Sequence, residues 1–381
     1  MIRRFRWVLG VLAFGLAGAL VGVVPDGASA VAGPARCRPI AFVTNGGGGT
    51  VSTIDVKTRT KNPTDITLEP GLVGVAVTPD GKTAFVANFL SDSVSTIDVK
   101  TRTKNPTDIA VGTYPLVVAI TPDGKTAFVT DRLSGSVATI DVKTGTKNPT
   151  DIPVGGGPQN VAVTPDGRTA FVSNSLSGTV STINVKARTK RPADIAVGEG
   201  PSGVAVTPDG KTAFVANGGS DSVSTIDVKT RKKHPTDITV GAGPVWVALT
   251  PDGKTALVTN FGSGSVSTID VKTRTKDSTD IPVGSGPTGV AITPDGKTAF
   301  VANAGSGTVS TIDVKTRAKD PTDIPVGTVP WLVTPEGRAV FVTNFGSGTV
   351  STIDAKTRAK DTIDIPVGSA PVHVAVTPCR R

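Results

Sequence analysis

A segment of about 43 residues recurs along this chain of 381 residues. Its Thr-Pro dipeptide returns every 43 residues, with one interval of 41, at Thr78, Thr121, Thr164, Thr207, Thr250, Thr293, Thr334 and Thr377. The phrase VSTIDVKT and its variants keep the same spacing. A fixed period predicts structural units that stack on one another, because one short unit cannot bury its own apolar face.

One unit, residues 72–114, contains the apolar runs VGVAV, TAFVAN, SVSTIDV and TDIAV. They are rich in Val, Ile, Thr and Phe, so we expect four strands, with Pro-Asp-Gly making a tight turn between the first two. No segment keeps a helical period over three turns. The sequence therefore predicts an all-β, closed β-propeller of eight four-stranded blades. A seven-bladed ring and a β-solenoid are the alternatives.

The two cysteines, Cys37 and Cys379, occupy the same repeat position, which is that of the turn residue Asp80. Eight whole units separate them, because the chain begins inside one unit, at its second strand, and ends after a first strand. A closed ring brings these two strands together, so a Cys37–Cys379 disulfide would replace the missing turn. A solenoid would hold the two Cα atoms beyond the roughly 7 Å that a disulfide can bridge.

The first thirty residues have the order of a secretory signal: a basic start, an apolar run from Trp7 to Val24, and the small residues Ala28-Ser29-Ala30. We expect cleavage after Ala30, a secreted protein, and one propeller domain over residues 31–381 with eight repeats over 37–379. An uncleaved membrane anchor is the alternative, because 18 apolar residues nearly span a bilayer. Export favours disulfide formation.

Groups that could transfer protons are few. There are two histidines, His234 and His373, and the aspartates recur at fixed repeat positions, as expected of turn-forming residues. No metal-binding or nucleotide-binding motif is present, so neither a metal nor a cofactor is expected, and a non-enzyme is favoured. His234 lies in a basic connection and is expected to be exposed.

The repeats differ from one another mainly in the segment before the first strand and in the loop between the second and third strands. These two segments share one face of a propeller, so we predict a binding site there for a small ligand, a glycan or a protein. Drift in exposed loops is the alternative explanation. The predicted ligand-binding residues are Phe89, Tyr114, Asn160, Trp246, Phe261, Trp331, Phe345 and His373.

The opposite face is predicted to be basic, with about one net positive charge per blade. In a typical unit it carries Lys82, Lys100, Arg102 and Lys104 against Asp80, Asp98 and Asp108. Such a face could bind an anionic envelope polymer, or simply keep the protein soluble. Nucleic acid is not expected, because the basic loops lack aromatic residues that stack on bases. We expect a monomer.

The FVTN and FVAN strands, followed by VSTIDVKT and VAVTPDG, resemble the YVTN-type β-propeller repeat proteins, with Phe or Leu in place of the family's Tyr. The resemblance covers residues 39–378 and implies an exported or surface propeller. Some relatives look like lactonases or other propeller enzymes. The leading hypothesis is a secreted, non-catalytic binding scaffold at the envelope or outside the cell. The alternatives are a lactonase-like or lyase-like enzyme with a site at the channel mouth, and a purely structural envelope component.

Overall fold

The computed structural model describes residues 38–378, which form eight small antiparallel sheets. The first strand of each sheet contacts the first strands of the two neighbouring sheets, and the eighth sheet contacts the first. The chain is therefore an eight-bladed β-propeller, as the repeat predicts, and the seven-bladed and solenoid alternatives are wrong. Within the described range, no helix is long and apolar enough to cross a membrane.

Blades 1 to 4 occupy the first half of the ring, and blade 1 takes its innermost strand from the end of the chain. Blade 1 contains β39 (Pro371–Val376), β1 (Ile40–Asn45), β2 (Thr50–Asp55), β3 (Thr60–Lys61) and β4 (Ile66–Thr67). Blade 2 contains β5 (Leu72–Val77), β6 (Thr83–Asn88), β7 (Ser93–Asp98), β8 (Thr103–Lys104) and β9 (Ile109–Ala110). Blade 3 contains β10 (Pro115–Ile120), β11 (Thr126–Asp131), β12 (Ser136–Asp141), β13 (Thr146–Lys147) and β14 (Ile152–Pro153). Blade 4 contains β15 (Pro158–Val163), β16 (Thr169–Asn174), β17 (Thr179–Asn184), β18 (Thr189–Lys190) and β19 (Ile195–Ala196).

Blades 5 to 8 complete the ring. Blade 5 contains β20 (Pro201–Val206), β21 (Thr212–Asn217), β22 (Ser222–Asp227), β23 (Lys232–Lys233) and β24 (Ile238–Thr239). Blade 6 contains β25 (Pro244–Leu249), β26 (Thr255–Asn260), β27 (Ser265–Asp270), β28 (Thr275–Lys276) and β29 (Ile281–Pro282). Blade 7 contains β30 (Pro287–Ile292), β31 (Thr298–Asn303), β32 (Thr308–Asp313), β33 (Ala318–Lys319) and β34 (Ile324–Pro325). Blade 8 contains β35 (Pro330–Glu336), β36 (Ala339–Asn344), β37 (Thr349–Asp354) and β38 (Ile365–Pro366).

The outer edge of seven blades differs from the single fourth strand that the sequence predicts, and blade 8 alone has four strands within the described residues. In blade 2, the two short strands β8 and β9 both pair with β7, one near each end. Pro106, between them, has no N–H to donate to a ladder. Asp108 accepts a hydrogen bond from Ser95 Oγ at 2.6 Å, so a side chain replaces the missing backbone pairing.

The Thr-Pro-Asp-Gly turns form as expected. Thr78 Oγ1 donates to Asp80 Oδ1 at 2.6 Å, and Gly81, with a φ of 71°, closes the turn by donating to the carbonyl of Thr78 at 2.8 Å. Blade 8 is the exception, because its unit is two residues shorter. There, β35 continues through Glu336, and Gly337 follows with a φ of 59°.

A buried polar chain explains the asparagine that ends the second strand. Asn88 Nδ2 donates to Ser93 Oγ at 2.8 Å and to Ser95 Oγ at 2.9 Å. Ser95 donates in turn to Asp108, which pairs with Lys104 at 2.9 Å. The asparagine contacts recur in every blade except blade 3, so this motif holds the second, third and outer strands together.

The ring closes between β1 and β39, which pair antiparallel. Ile40 N–H donates to Thr377 Oγ1 at 2.8 Å, and Thr377 N–H donates to the carbonyl of Ile40 at 2.9 Å. The chain ends therefore meet where the sequence places the missing turn. Cys37 and Cys379 lie outside the described residues, as does the signal segment 1–30, so the disulfide and the signal stay predictions.

Candidate functional site on the loop face

The variable segments of the repeat lie on one face, as predicted. Phe89 N–H donates to the carbonyl of Gly71 at 2.8 Å, and Arg132 N–H donates to the carbonyl of Tyr114 at 3.0 Å. Each loop between the second and third strands is thus bonded to the segment that leads into the first strand. We call this surface the loop face, and we call the opposite surface, formed by the Thr-Pro-Asp-Gly turns and the loops after the third strands, the turn face.

Four predicted site residues are only partly buried on the loop face: Tyr114, Phe261, Trp331 and Phe345. They lie in separate places. Phe89 meets Tyr114 edge to face, with ring centroids 4.3 Å apart. In blade 8, the ring centroids of Trp331 and Phe345 are 6.4 Å apart, and Phe261 belongs to blade 6. The aromatic residues therefore form small groups around the rim rather than one pocket.

The other four predicted site residues are buried. Phe89, Asn160, Trp246 and His373 are 8%, 3%, 6% and 7% exposed. Trp246 belongs to an apolar cluster with Leu257, and a side chain at Gly203 of the preceding blade would collide with the carbonyl of Val245, 2.8 Å from its Cβ. Trp246 shares that cluster with residues of blade 7 such as Val290, so its side chain is part of the apolar packing of the ring.

His373 is a neutral, buried residue. Its backbone N–H donates to Thr44 Oγ1 at 3.1 Å, and its Nδ1 has no partner among residues 38–378. Burial lowers the pKa of His373 to about 4. At neutral pH the ring carries no charge, and it does not reach the surface where a ligand would bind.

Trp331 does not occupy the repeat position of Trp246. Leu332 pairs with Thr343 as Trp246 pairs with Thr259, so Trp331 lies one residue earlier, at the position of Val245. The two residues missing from this unit fall in the first hairpin, where β35 continues into a shorter turn. Counting back from Thr-Pro therefore misplaces Trp331.

Three exposed leucines on the loop face were missed by the sequence analysis. Leu90, Leu133 and Leu176 are 56%, 61% and 73% exposed and occupy the same loop position in blades 2, 3 and 4. The other five blades have glycine at that position. Comparison of the second loop residue across the repeats, rather than the first, would have found them. We call these three residues the leucine arc.

The leucine arc is held against the propeller backbone. A Cβ atom at Gly71 would lie 2.6 Å from Leu90 Cγ, and one at Gly157 would lie 2.6 Å from Leu176 Cγ. Glycine therefore lets these two leucines lie flat on their own blades. The equivalent residue in blade 3 is Tyr114, which adds a partly exposed aromatic ring beside the arc.

The positively charged Arg132 precedes Leu133, the middle residue of the leucine arc. Arg132 Nη1 donates to Oε1 of Gln159, which is fully buried. The Nε2 of Gln159 has no partner in the described part of the chain. Burial lowers the pKa of Arg132 from its usual value. Arg132 is therefore a positioned, partly desolvated cation between apolar side chains, and such a group favours a carboxylate partner.

Blade 3 also contains a buried acid that the sequence analysis left without a role. Asp131 replaces the asparagine of the other blades, and Ala138 replaces the serine that the asparagine contacts. Neither oxygen of Asp131 accepts a well-formed hydrogen bond within residues 38–378. Burial, and then the negative charge of Asp151, raise the pKa of Asp131 to about 7.

Titratable groups do not gather on the loop face. Within residues 38–378, no three His, Cys, Asp or Glu side chains lie together in a group that could hold a metal ion. Burial raises the pKa of Glu336, which lies in the blade 8 hairpin at the turn face. His234 also lies on the turn face and is partly buried rather than fully exposed.

Comparison with known proteins gives the same fold. The family described as lactonase, 7-bladed beta-propeller, matches residues 117–244, from blade 3 to the start of blade 6. No curated protein matches the chain.

Among solved structures, hydrazine synthase of Kuenenia stuttgartiensis is 25% identical, over 74% of this chain and 94% of its own, with a TM-score of 0.61. Apo AztD from Citrobacter koseri is 16% identical, over 89% of this chain and 98% of its own, with a TM-score of 0.68. The dihydro-heme d1 dehydrogenase NirN, in complex with DHE, is 16% identical, over 94% of this chain and 79% of its own, with a TM-score of 0.72. The chain is a β-propeller, residues 117–244 of which are similar to the lactonase family, and the same fold occurs in proteins of different function.

Proposed function

We propose that this protein is an exported, non-catalytic β-propeller that binds another protein through the leucine arc on its loop face. The observation that carries the proposal is the exposure of Leu90, Leu133 and Leu176 at one repeat position of three consecutive blades. Folding of the ring does not need them, because five blades have glycine there. Clustered exposed apolar side chains mark interaction surfaces.

The chemistry of the arc favours a protein over a glycan or a small polar ligand. Leucine side chains cannot hydrogen-bond to sugar hydroxyls, but they bury well against aliphatic or aromatic side chains. Arg132, held by Gln159, supplies one charge at the centre of the arc. The matching partner surface is therefore apolar around one carboxylate group.

The partner can be found by photo-cross-linking in cells that export the protein. A photoreactive amino acid at position 133 should cross-link the partner, and the same group at position 363 should not. Ile363 is a matched control, because it is 77% exposed and aliphatic but lies in the outer-edge connection of blade 8 that follows β37 on the turn face. No cross-linked protein at position 133, or the same product at both positions, would contradict the proposal.

The affinity for the purified partner then tests the contacts. The triple variant L90A/L133A/L176A should bind more weakly by about 1 kcal/mol for each leucine that is buried in the complex. The variant I363A should bind like the unchanged protein. A loss for I363A as large as for the triple variant would show that the arc is not the site.

Lactone hydrolysis is a second candidate function, supported by the family match to residues 117–244. It would need an acid or base at the mouth of the channel. Incubation of the full chain with a panel of sugar lactones and acyl lactones, followed by acid release at constant pH, tests this candidate. Turnover that depends on a loop-face residue would overturn the non-catalytic proposal.

A further inference from the structure

Neighbouring blades are joined on the turn face by a recurring pair of side chains. Arg317 of blade 7 pairs with Asp277 of blade 6, and Arg59 of blade 1 pairs with Asp361 of blade 8 at 2.6 Å. Blades 7 and 8 are joined by the same pairing. Both named arginines have left-handed backbone φ values, 59° and 56°, which direct them toward the preceding blade. The acceptor in that blade is a carboxylate in all three cases.

The interface between blades 4 and 5 departs from this pattern. Arg191 stands at the acceptor position, forty residues before Arg231, just as Asp277 stands forty residues before Arg317. Arg231 has the usual left-handed φ, 58°. The buried Nε of Arg191 has no hydrogen-bond partner among residues 38–378. By its repeat position, Arg191 therefore stands where the other blades offer Arg231-type arginines an acceptor, and its buried Nε is left without one.

The surroundings of the two arginines also lack negative charges that other blades have. Asn184 ends the third strand of blade 4, where every other blade has aspartate. At the next interface, between blades 5 and 6, His234 takes the acceptor position opposite Arg274. Burial, and then the charge of Arg274, lower the pKa of His234. Neither side chain restores a negative charge to this part of the turn face.

The charge of the turn face is concentrated in these two blades. Residues 184–194 of blade 4 contain four Lys or Arg and one Asp, and residues 227–237 of blade 5 contain four Lys or Arg and two Asp. The equivalent segments of blades 6, 7 and 8 (270–280, 313–323 and 354–364) each contain three basic and three acidic residues. Counted blade by blade, these loops form one strongly basic sector beside a neutral one, rather than the evenly basic ring expected from a typical unit.

Like charges facing each other across a blade interface destabilise the ring unless an anion lies between them. The repeat offers neutral alternatives: at the interface of blades 3 and 4, Asn148 accepts from Arg188 at 2.5 Å. A bound anion accounts for the arrangement.

We propose that the notch between blades 4 and 5 on the turn face, formed by Arg191, Arg231 and the exposed Lys232, binds a phosphate-bearing polymer. A phosphodiester has two free anionic oxygens, so one group can accept from both guanidinium groups, and consecutive groups along a polymer add further charges. The excess charge extends over two blades, so several phosphates in a row match it better than a single ion. The surface lies opposite the leucine arc and does not depend on it.

The test uses the full chain and end-labelled inorganic polyphosphate, with binding followed by fluorescence anisotropy at several salt concentrations. The variant R191N/K232T replaces both residues with those of other blades, Asn148 and Thr189, and so restores the ordinary interface. It should lower the affinity about tenfold or more and reduce the dependence on salt, because two phosphate contacts are lost. Its melting temperature should not fall, because like-charge repulsion is removed.

The control variant K315Q/K356Q removes two charges from exposed lysines of blades 7 and 8, so the change in total charge is the same. It should bind polyphosphate nearly as well as the unchanged protein. Equal losses in both variants would show that charge acts around the whole ring, and would overturn the assignment of the notch. Binding of heparin or polyglutamate, but not of polyphosphate, would overturn the phosphate chemistry. R191N alone gives a second test, since its only change is the facing arginine.

Discussion

Replacement of Asp131 by asparagine should stabilise the protein at neutral and basic pH. Asp131 is fully buried in blade 3, where seven other blades place an asparagine that donates to hydroxyl groups. Burial and the charge of Asp151 raise its pKa from 3.8 to about 7. The folded protein therefore holds a proton that the unfolded chain releases.

The raised pKa fixes the direction of the effect. Between pH 3.8 and about 7 the folded state binds one proton more than the unfolded state at Asp131, so the free energy of unfolding falls as pH rises. Each pKa unit corresponds to about 1.4 kcal/mol, so ionisation of Asp131 removes about 4 kcal/mol of stability above pH 7. The loss is absent below pH 3.8, where both states are protonated.

The measurement compares denaturant unfolding of D131N with that of the unchanged protein at about pH 5 and about pH 8. We expect a gain of about 2 kcal/mol at about pH 5, where the unfolded chain has already released its proton but the folded protein has not, and a gain of up to about 4 kcal/mol at about pH 8. Adding A138S supplies the hydroxyl partner found in other blades and should add about 1 kcal/mol.

Asp141 provides the matched control in the same blade. A hydrogen bond from the backbone of Thr144 is the main cause that lowers the pKa of Asp141, so this carboxylate stabilises the folded state when it is ionised. D141N, which copies Asn184 of blade 4, should therefore be slightly less stable at about pH 8. An equal gain for D131N at both pH values, or no gain at about pH 8, would refute the reasoning about Asp131.

Two further predictions concern the ends of the ring. Cys37 and Cys379 should form a disulfide in the exported protein, and C37S should lower stability by up to about 5 kcal/mol; free thiols found by labelling of the exported protein would contradict this. Because burial lowers the pKa of His373 from 6.5 to about 4, the unfolded chain binds more protons there, and stability falls as pH drops through that range. H373N, which copies Asn160, should remove about 3 kcal/mol of this acid sensitivity, and an unchanged pH profile of unfolding would disprove it.

The proposed activities depend on evidence of different kinds. The leucine arc depends on exposure at one repeat position, and the arginine notch depends on a broken pattern of contacts between blades. They lie on opposite faces, so a failure of protein binding at Leu133 leaves polyphosphate binding at Arg191 intact, and the reverse also holds. The cross-linking experiment therefore tests only the leucine arc, and the polyphosphate titration tests only the arginine notch.

The architecture was open to prediction because it is local and repeated. The turn at Asp80 and the apolar runs beside it depend on residues close together in sequence, and the same pattern returns in each unit. Eight units between Cys37 and Cys379 fixed the size of the ring before any contact was known. The division of the outer edge into two short strands was missed, because the bond between Ser95 and Asp108 spans thirteen residues.

The candidate site depended on the tertiary structure, because burial of an inner-strand residue is set by the neighbouring blade. Trp246 is buried in a cluster that also contains Val290 of blade 7, and the backbone of His373 is bonded to Thr44, 329 residues away. The charges of Arg191 and Arg231 are visible in the sequence, but their opposition appears only when two blades pack. A repeat determines each blade, and the contacts between blades determine which side chains are left free to bind.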